Sequence, residues 1–119
     1  MIEKRLGAVE LRFAEIIWAR APLSSTELVR ICASELDWKK STTYTVLKKL
    51  IDKGYIRRDE PGFICSSLIT RGEIQRSEAR GLLDRFFSGS RKALFSALLE
   101  DEELSEAELA ELRDLIDRR

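Results

Sequence analysis

The chain is predicted to be mainly α-helical with one small β-hairpin, and three observations carry that expectation. The first is a repeated punctuation. A hydroxyl-x-x-Glu pattern clasped between apolar residues occurs at Leu23-Ser24-x-x-Glu27-Leu28, Ile69-Thr70-x-x-Glu73-Ile74 and Leu104-Ser105-x-x-Glu108-Leu109. There the hydroxyl accepts from the backbone N–H three residues on, the Glu accepts from the N–H of the cap residue, and the apolar pair closes over both, which marks a helix start. The second is the division of residues 41–54, at about 100° per residue, into two faces. Thr43, Val46, Leu47 and Leu50 fall on one, and Ser41, Thr42, Thr45, Lys48, Lys49 and Asp52 on the other. The third is a change of period after Gly54. Tyr55–Arg58 and Phe63–Leu68 read as strands around a turn at Asp59-Glu60-Pro61-Gly62.

The elements follow in order. A first helix over about residues 7–20 should face Val9, Phe13, Ile16 and Ile17 inward, with Leu11, Ala14 and Trp18 widening that face, and Ala21-Pro22 ends it. Its start, Gly7-Ala8, lacks a capping hydroxyl, a deficit of about 1 kcal/mol. A second helix from Ser24 to about Leu36 buries Leu28, Ile31, Cys32 and Leu36, and a third begins near Lys39–Ser41 and stops at Gly54. Three short helices joined this tightly make a tri-helical unit whose second and third members form a helix-turn-helix. The hairpin that follows makes it the winged variant. From Thr70 the chain is helical again. Its apolar stripe runs through Ile74, Leu82, Leu83, Phe86 and Phe87, breaks at Ser88-Gly89-Ser90, and resumes in Leu94, Phe95, Leu98 and Leu99 and then in Leu109, Leu112, Leu115 and Ile116. A segment of this length cannot bury three such stripes alone, so a second copy of the chain is the simplest cover. The expected architecture is a winged helix-turn-helix domain over residues 1–70 and a C-terminal helical dimerisation region over 71–119.

Composition limits the function. With 119 residues the chain makes one domain or a domain with an appendage, and it has no apolar run long enough to span a membrane. The opening Met-Ile-Glu-Lys-Arg lacks a signal-peptide core, so a cytoplasmic location is expected. Cys32 and Cys65 are then expected to be reduced and to act as small apolar fillers, with no metal-spaced cluster. No histidine, Gly-rich phosphate loop or nucleophile–base pair is present, so neither an enzyme nor a cofactor site is read. The net charge of zero conceals an asymmetry. Residues 1–76 carry 14 basic and 10 acidic side chains, residues 77–119 carry 7 and 11, and residues 38–58 carry seven bases against Asp52 alone.

The polar face of the third helix suits a DNA major groove. Small hydroxyls admit the backbone to the base edges, and lysines stand at phosphate height. Its candidate contacts are Lys40, Ser41, Thr42, Tyr44, Thr45, Lys48 and Lys49, with Arg57 and Arg58 added from the wing by charge and position. Tyr44 stands at the edge of the apolar face, where covering the core is an equal reading. The candidate dimerisation residues are Leu82, Leu83, Phe86, Phe87, Leu94, Phe95, Leu98, Leu109, Leu112, Leu115 and Ile116.

Nearly the whole chain resembles the penicillinase-repressor family, the BlaI/MecI/CopY group of winged-helix regulators. The resemblance lies in Leu6-x-x-x-Glu10-Leu11 with Trp18, and in Trp38 followed by Thr42-x-x-Thr45-x-Leu47-x-Lys49-Leu50-x-x-Lys53-Gly54. It continues in Leu82-Leu83-Asp-Arg-Phe86-Phe87-Ser-Gly89-Ser90 and Leu104-Ser105-x-x-Glu108-Leu109-x-x-Leu112. It implies a homodimer that blocks transcription from a short palindromic operator, with Ser41, Thr42 and Thr45 on bases and backbone and Lys49 on phosphate. Departures stand out in three places: the wing, the first helix cap and the regulatory features. Gly62 is followed by Phe63 rather than Arg, and Ser67 takes a tyrosine's place, so Phe63 reads as packing rather than binding. The first helix lacks its usual Ser or Thr cap. Ala97-Leu98 stands where β-lactam-responsive members are cut at Asn-Phe, which leaves a membrane sensor-protease partner open. The cysteine cluster of copper-responsive members is missing, since no cysteine follows Cys65. The alternative reading is a winged-helix protein-interaction module without DNA binding.

Overall fold

The computed structural model describes residues 4–100 and 103–119. Its elements are α1 (Ala8–Arg20), β1 (Leu23–Ser24), α2 (Ser25–Leu36), α3 (Lys40–Asp52), β2 (Ile56–Asp59), β3 (Ile64–Ser67), α4 (Arg71–Phe86), α5 (Arg91–Leu99) and α6 (Glu106–Asp117). The chain divides into two compact units, the first ending at Glu78 and the second spanning Ala79–Arg119.

The helix starts obey the capping chemistry. Ser24 Oγ accepts from the Glu27 amide at 3.1 Å, Thr70 Oγ1 from the Glu73 amide at 3.0 Å and Ser105 Oγ from the Glu108 amide at 3.1 Å. Each Glu in turn accepts from the N–H of its cap residue. At α1 the cap residue is Gly7. It offers no side chain, yet its N–H donates to Glu10 Oε1 at 2.8 Å, so half of the motif survives without a hydroxyl. Helix α3 ends at Gly54, whose φ of +80° is costly for a residue with a Cβ. The Gly54 N–H donates to the Ile51 carbonyl and the Tyr55 N–H to the Leu50 carbonyl, both at 2.9 Å, which turns the chain directly into β2.

The hairpin is larger than expected. Residues Leu23 and Ser24 add a third antiparallel strand, giving the order β1-β3-β2 with Leu23 opposite Cys65 and Ile56 opposite Ser67. A two-residue strand has no periodicity to read; it exists because β3 presents an edge to the segment that follows Pro22.

The first unit's core is Phe13, Ile16, Ile17, Leu23, Leu28, Cys32, Val46, Leu47, Leu50, Ile56 and Cys65. Phe13 stacks on Trp38 with ring centroids 5.9 Å apart and planes 7° from parallel. Both cysteines are reduced and buried, and burial raises their thiol pKa values above the ordinary range. Two expected core residues of α1 are on the outside: Val9 is 53% exposed and Leu11 40%. Phe13, Ala14, Ile16 and Ile17 are buried as expected, and Glu10 takes the inward position of the first turn. Residues 4–6 are strapped to this unit by side-chain acceptors. The N–H groups of Lys4, Arg5 and Leu6 donate to Ser77 Oγ (2.8 Å), the Tyr55 hydroxyl (3.0 Å) and Glu78 Oε1 (3.4 Å).

In the second unit α5 and α6 hold no buried residue. Phe95, Leu98, Leu99, Leu115 and Ile116 are all exposed, as are Leu82 and Phe86 on α4. Phe87, Leu94, Leu109 and Leu112 are half-buried. Leu83, also in the expected interface set, is 5% exposed in a single chain.

Candidate nucleic-acid interface

Helix α3 presents its two faces as its spacing dictates. Thr43, Val46, Leu47 and Leu50 are buried, while Lys40, Ser41, Thr42, Thr45, Lys48 and Lys49 are exposed. The inner face seats the helix on the core. The outer face is a strip of three hydroxyls and three ammonium groups. Thr45 Oγ1 donates to the Ser41 carbonyl at 2.9 Å, which holds its rotamer and leaves its oxygen able to accept. Tyr44 is half-buried against the core, with the Lys40 ammonium 5.9 Å from its ring centroid. It serves the core first, and its outer edge holds Lys40 in place.

The start of α3 differs from that of its neighbours. Helices α2, α5 and α6 each have a serine hydroxyl accepting from an early amide, whereas the cap residue of α3 is Lys39, with no side-chain cap and no acidic residue in the first turn. The leading N–H groups and positive dipole end of α3 thus lie beside Lys39 and Lys40 with no carboxylate in the first turn, a setting that favours phosphate.

A buried carboxylate escaped the sequence reading. Glu10 is 7% exposed, and its oxygens accept from Lys53 Nζ at 3.0 and 3.1 Å, with Lys49 Nζ at 4.0 Å. Burial pushes its carboxyl pKa up, but the Gly7 amide, Lys53 and Lys49 outweigh that and leave it below the ordinary carboxylate value. Glu10 thereby clamps the N-terminus of α1 to the exit of α3. Its signal in the sequence is the capping-box spacing of Gly7-x-x-Glu10, which is set against the rarity of buried acidic residues.

The wing separates its two arginines. The Arg57 guanidinium donates to both oxygens of Asp59 at 2.8 and 2.7 Å, and its pKa is raised by that carboxylate. Arg58 makes no ion pair among the described residues; its guanidinium lies over the Phe63 ring, 5.2 Å from the centroid. Phe63 does not pack into the core as expected and is 47% exposed, because the backbone at the turn is left-handed and turns its side chain outward. On α3, Lys48 is held by Asp52 at 3.2 Å. Among the described residues the candidate contacts thus fall into a group without an ion pair (Lys40, Ser41, Thr42, Thr45, Arg58), one balanced at longer range (Lys49) and two locally paired (Lys48, Arg57).

The family profile for "Penicillinase repressor" matches residues 6–118. The methicillin resistance regulatory protein MecI of Staphylococcus aureus is 25% identical over 116 residues, covering 96% of this chain and 94% of that protein. A penicillinase repressor of Staphylococcus aureus is 30% identical over 115 residues, covering 91% of each chain. Among solved structures, the DNA-binding domain of the repressor BlaI matches with a TM-score of 0.55 at 23% identity, over 61% of this chain and 90% of that one.

Proposed function

This chain belongs to the penicillinase repressor family, and on that footing we propose that it is a sequence-specific transcriptional repressor that acts as a homodimer on a palindromic operator. The observation that carries the reading is the outer face of α3. Its hydroxyls and lysines are exposed along the helix while the opposite face is locked into the core. Ser41, Thr42 and Thr45 approach base edges in the major groove, and Lys40 and Lys49 meet flanking phosphates. Lys48 and Arg57 contribute once the phosphates draw them from Asp52 and Asp59; both pairs are exposed and screened by solvent, so little opposes the exchange.

One such module makes few base contacts. Two copies, joined through the apolar faces of α4–α6, place recognition helices about one helical turn apart or slightly more and multiply the affinity through effective concentration. With about three phosphates neutralised per protomer, log affinity against log salt falls with a slope near −5. A second copy covers Phe86, Leu98, Leu115 and Ile116, which are more than half exposed in one chain.

Repression by this route needs no membrane segment, and no helix among the described residues is long and apolar enough to be one. The working location is the cytoplasm, beside the chromosome. A sensor-protease partner acting at Ala97-Leu98 would have to open a bond inside α5, since the dipeptide lies within Arg91–Leu99.

The test is Lys49→Glu, measured by fluorescence anisotropy on duplexes selected from a random pool. The variant is expected to lose more than about ten-fold in affinity, with the salt slope of the dimer reduced by about two. Unchanged binding would overturn the reading. Failure of the wild type to select any duplex would favour the alternative of a protein-interaction module.

A further inference from the structure

The wing tip is built at a conformational cost that its packing does not explain. Residues Gly62 and Phe63 both have positive φ, +86° and +53°. For glycine this is free, but for a bulky side chain it is strained. Strain of that kind persists where the surroundings fix it, and it is common where a side chain has to be aimed. The surroundings here are definite. The Phe63 carbonyl accepts from the Ser25 N–H at 3.0 Å, and the Cys65 thiol lies 3.7 Å from the same oxygen. The backbone at Phe63 is thus tied to the start of α2 while the ring, 47% exposed, is turned outward.

The Arg58 guanidinium lies over the ring, 5.2 Å from its centroid. A flat aromatic face beneath a guanidinium orients the charge without neutralising it. Arg57, one residue earlier, shows the contrast, since Asp59 takes both its direction and its charge. The wing therefore offers a single directed cation, Arg58, backed by an exposed apolar plate.

A cation held this way suits a narrow, strongly negative slot with apolar walls. A DNA minor groove over A·T pairs is such a slot: it concentrates negative potential, draws in arginine, and is lined by deoxyribose edges on which an aromatic ring can rest. We propose that Arg58 and Phe63 form a minor-groove reader that selects A·T-rich flanks outside the base pairs contacted by α3. Phe63 acts as the positioning residue and Arg58 as the contact. The proposal rests on the DNA-binding reading above and adds a second, separable source of specificity.

The test uses fluorescein-labelled duplexes recovered from a random pool by the wild-type dimer. Their flanking base pairs are then changed from A·T to G·C or to inosine·cytosine. Inosine lacks the 2-amino group of guanine, so its pair keeps an A·T-like minor groove while presenting a G·C-like major groove. The wild type is expected to bind A·T and inosine·cytosine flanks alike and G·C flanks about ten-fold more weakly. Phe63→Ala and Arg58→Ala should each shrink that preference below about two-fold, and the double variant should lose no more than either alone, as expected of residues acting as one unit. Phe63→Tyr should keep the preference. In all of these variants, changing a base pair under α3 should weaken binding as much as in the wild type, which shows that the domain is folded and docked. The proposal is overturned if the wild type has no flank preference, if the two alanine variants retain it, or if they weaken every duplex equally. Failure of the wild type to select any duplex would instead remove the DNA-binding reading and this proposal with it.

Discussion

In the unit that ends at Glu78, Phe13, Leu28, Cys32 and Cys65 have no exposed surface, and helices and sheet close over one another. In Ala79–Arg119, α5 and α6 carry apolar stripes too, but no residue of either is fully buried. The stripes are of the same kind; the difference is how many partner surfaces each unit contains. Three helices and a three-stranded sheet can enclose a core, while two short helices and the end of a third cannot. The contrast fits the proposed mode of action: the first unit presents α3 on a closed core, and the second leaves apolar faces that a second copy of the chain would cover.

The largest expected effect breaks the second unit. Leu112→Asp should convert a dimer into monomers in sedimentation velocity and lower operator affinity by about 100-fold or more, because effective concentration is lost. A dimeric Leu112→Asp variant would mean that the contact lies elsewhere.

Core truncation sharpens the same contrast. Leu28→Ala, at a site with no exposed surface, should destabilise the first unit by about 2–5 kcal/mol in urea unfolding. Leu98→Ala, 54% exposed, should leave that transition in place and instead make dissociation of the dimer easier on dilution. Equal effects of the two on the unfolding midpoint would erase the distinction between the units.

A smaller effect concerns Glu10. Its carboxyl pKa lies below the ordinary value of 4.5, so the charged form is favoured by folding. The stabilisation is fully present above the unfolded value and disappears as pH falls through the lower folded value. Stability of the wild type should therefore drop more steeply below pH 4.5 than that of Glu10→Gln. Parallel curves would show that the clamp on Lys53 contributes nothing. The smallest change expected is from Ser105→Ala, which removes the cap of α6 and should lower its helicity by an equivalent of about 1 kcal/mol, seen by circular dichroism.

Local chemistry was the readable part of this sequence. The caps at Ser24, Thr70 and Ser105, the two faces of α3 and the stop at Gly54 follow from short-range spacing, and the structure has them where the spacing puts them. What was not readable depended on distant partners. Strand β1 exists through its pairing with β3, Val9 and Leu11 are exposed because Glu10 takes the inward position, and Phe63 is turned out by the backbone of a turn whose sequence signals only its location. In the candidate site, the lysines and hydroxyls were legible as a pattern. Their local commitments, such as Lys48 to Asp52 and Arg57 to Asp59, were not, because charge counts carry no geometry.

The central claim is that two copies of the α3 face act together on one DNA site. It is tested most directly by titrating the protein into a selected palindromic duplex, well above the dissociation constant, and reading the stoichiometry. The account gives two protomers per duplex, binding as one cooperative unit, with half-site duplexes bound at least about 100-fold more weakly. Saturation at one protomer per duplex, with half-sites bound as tightly as whole ones, would contradict it.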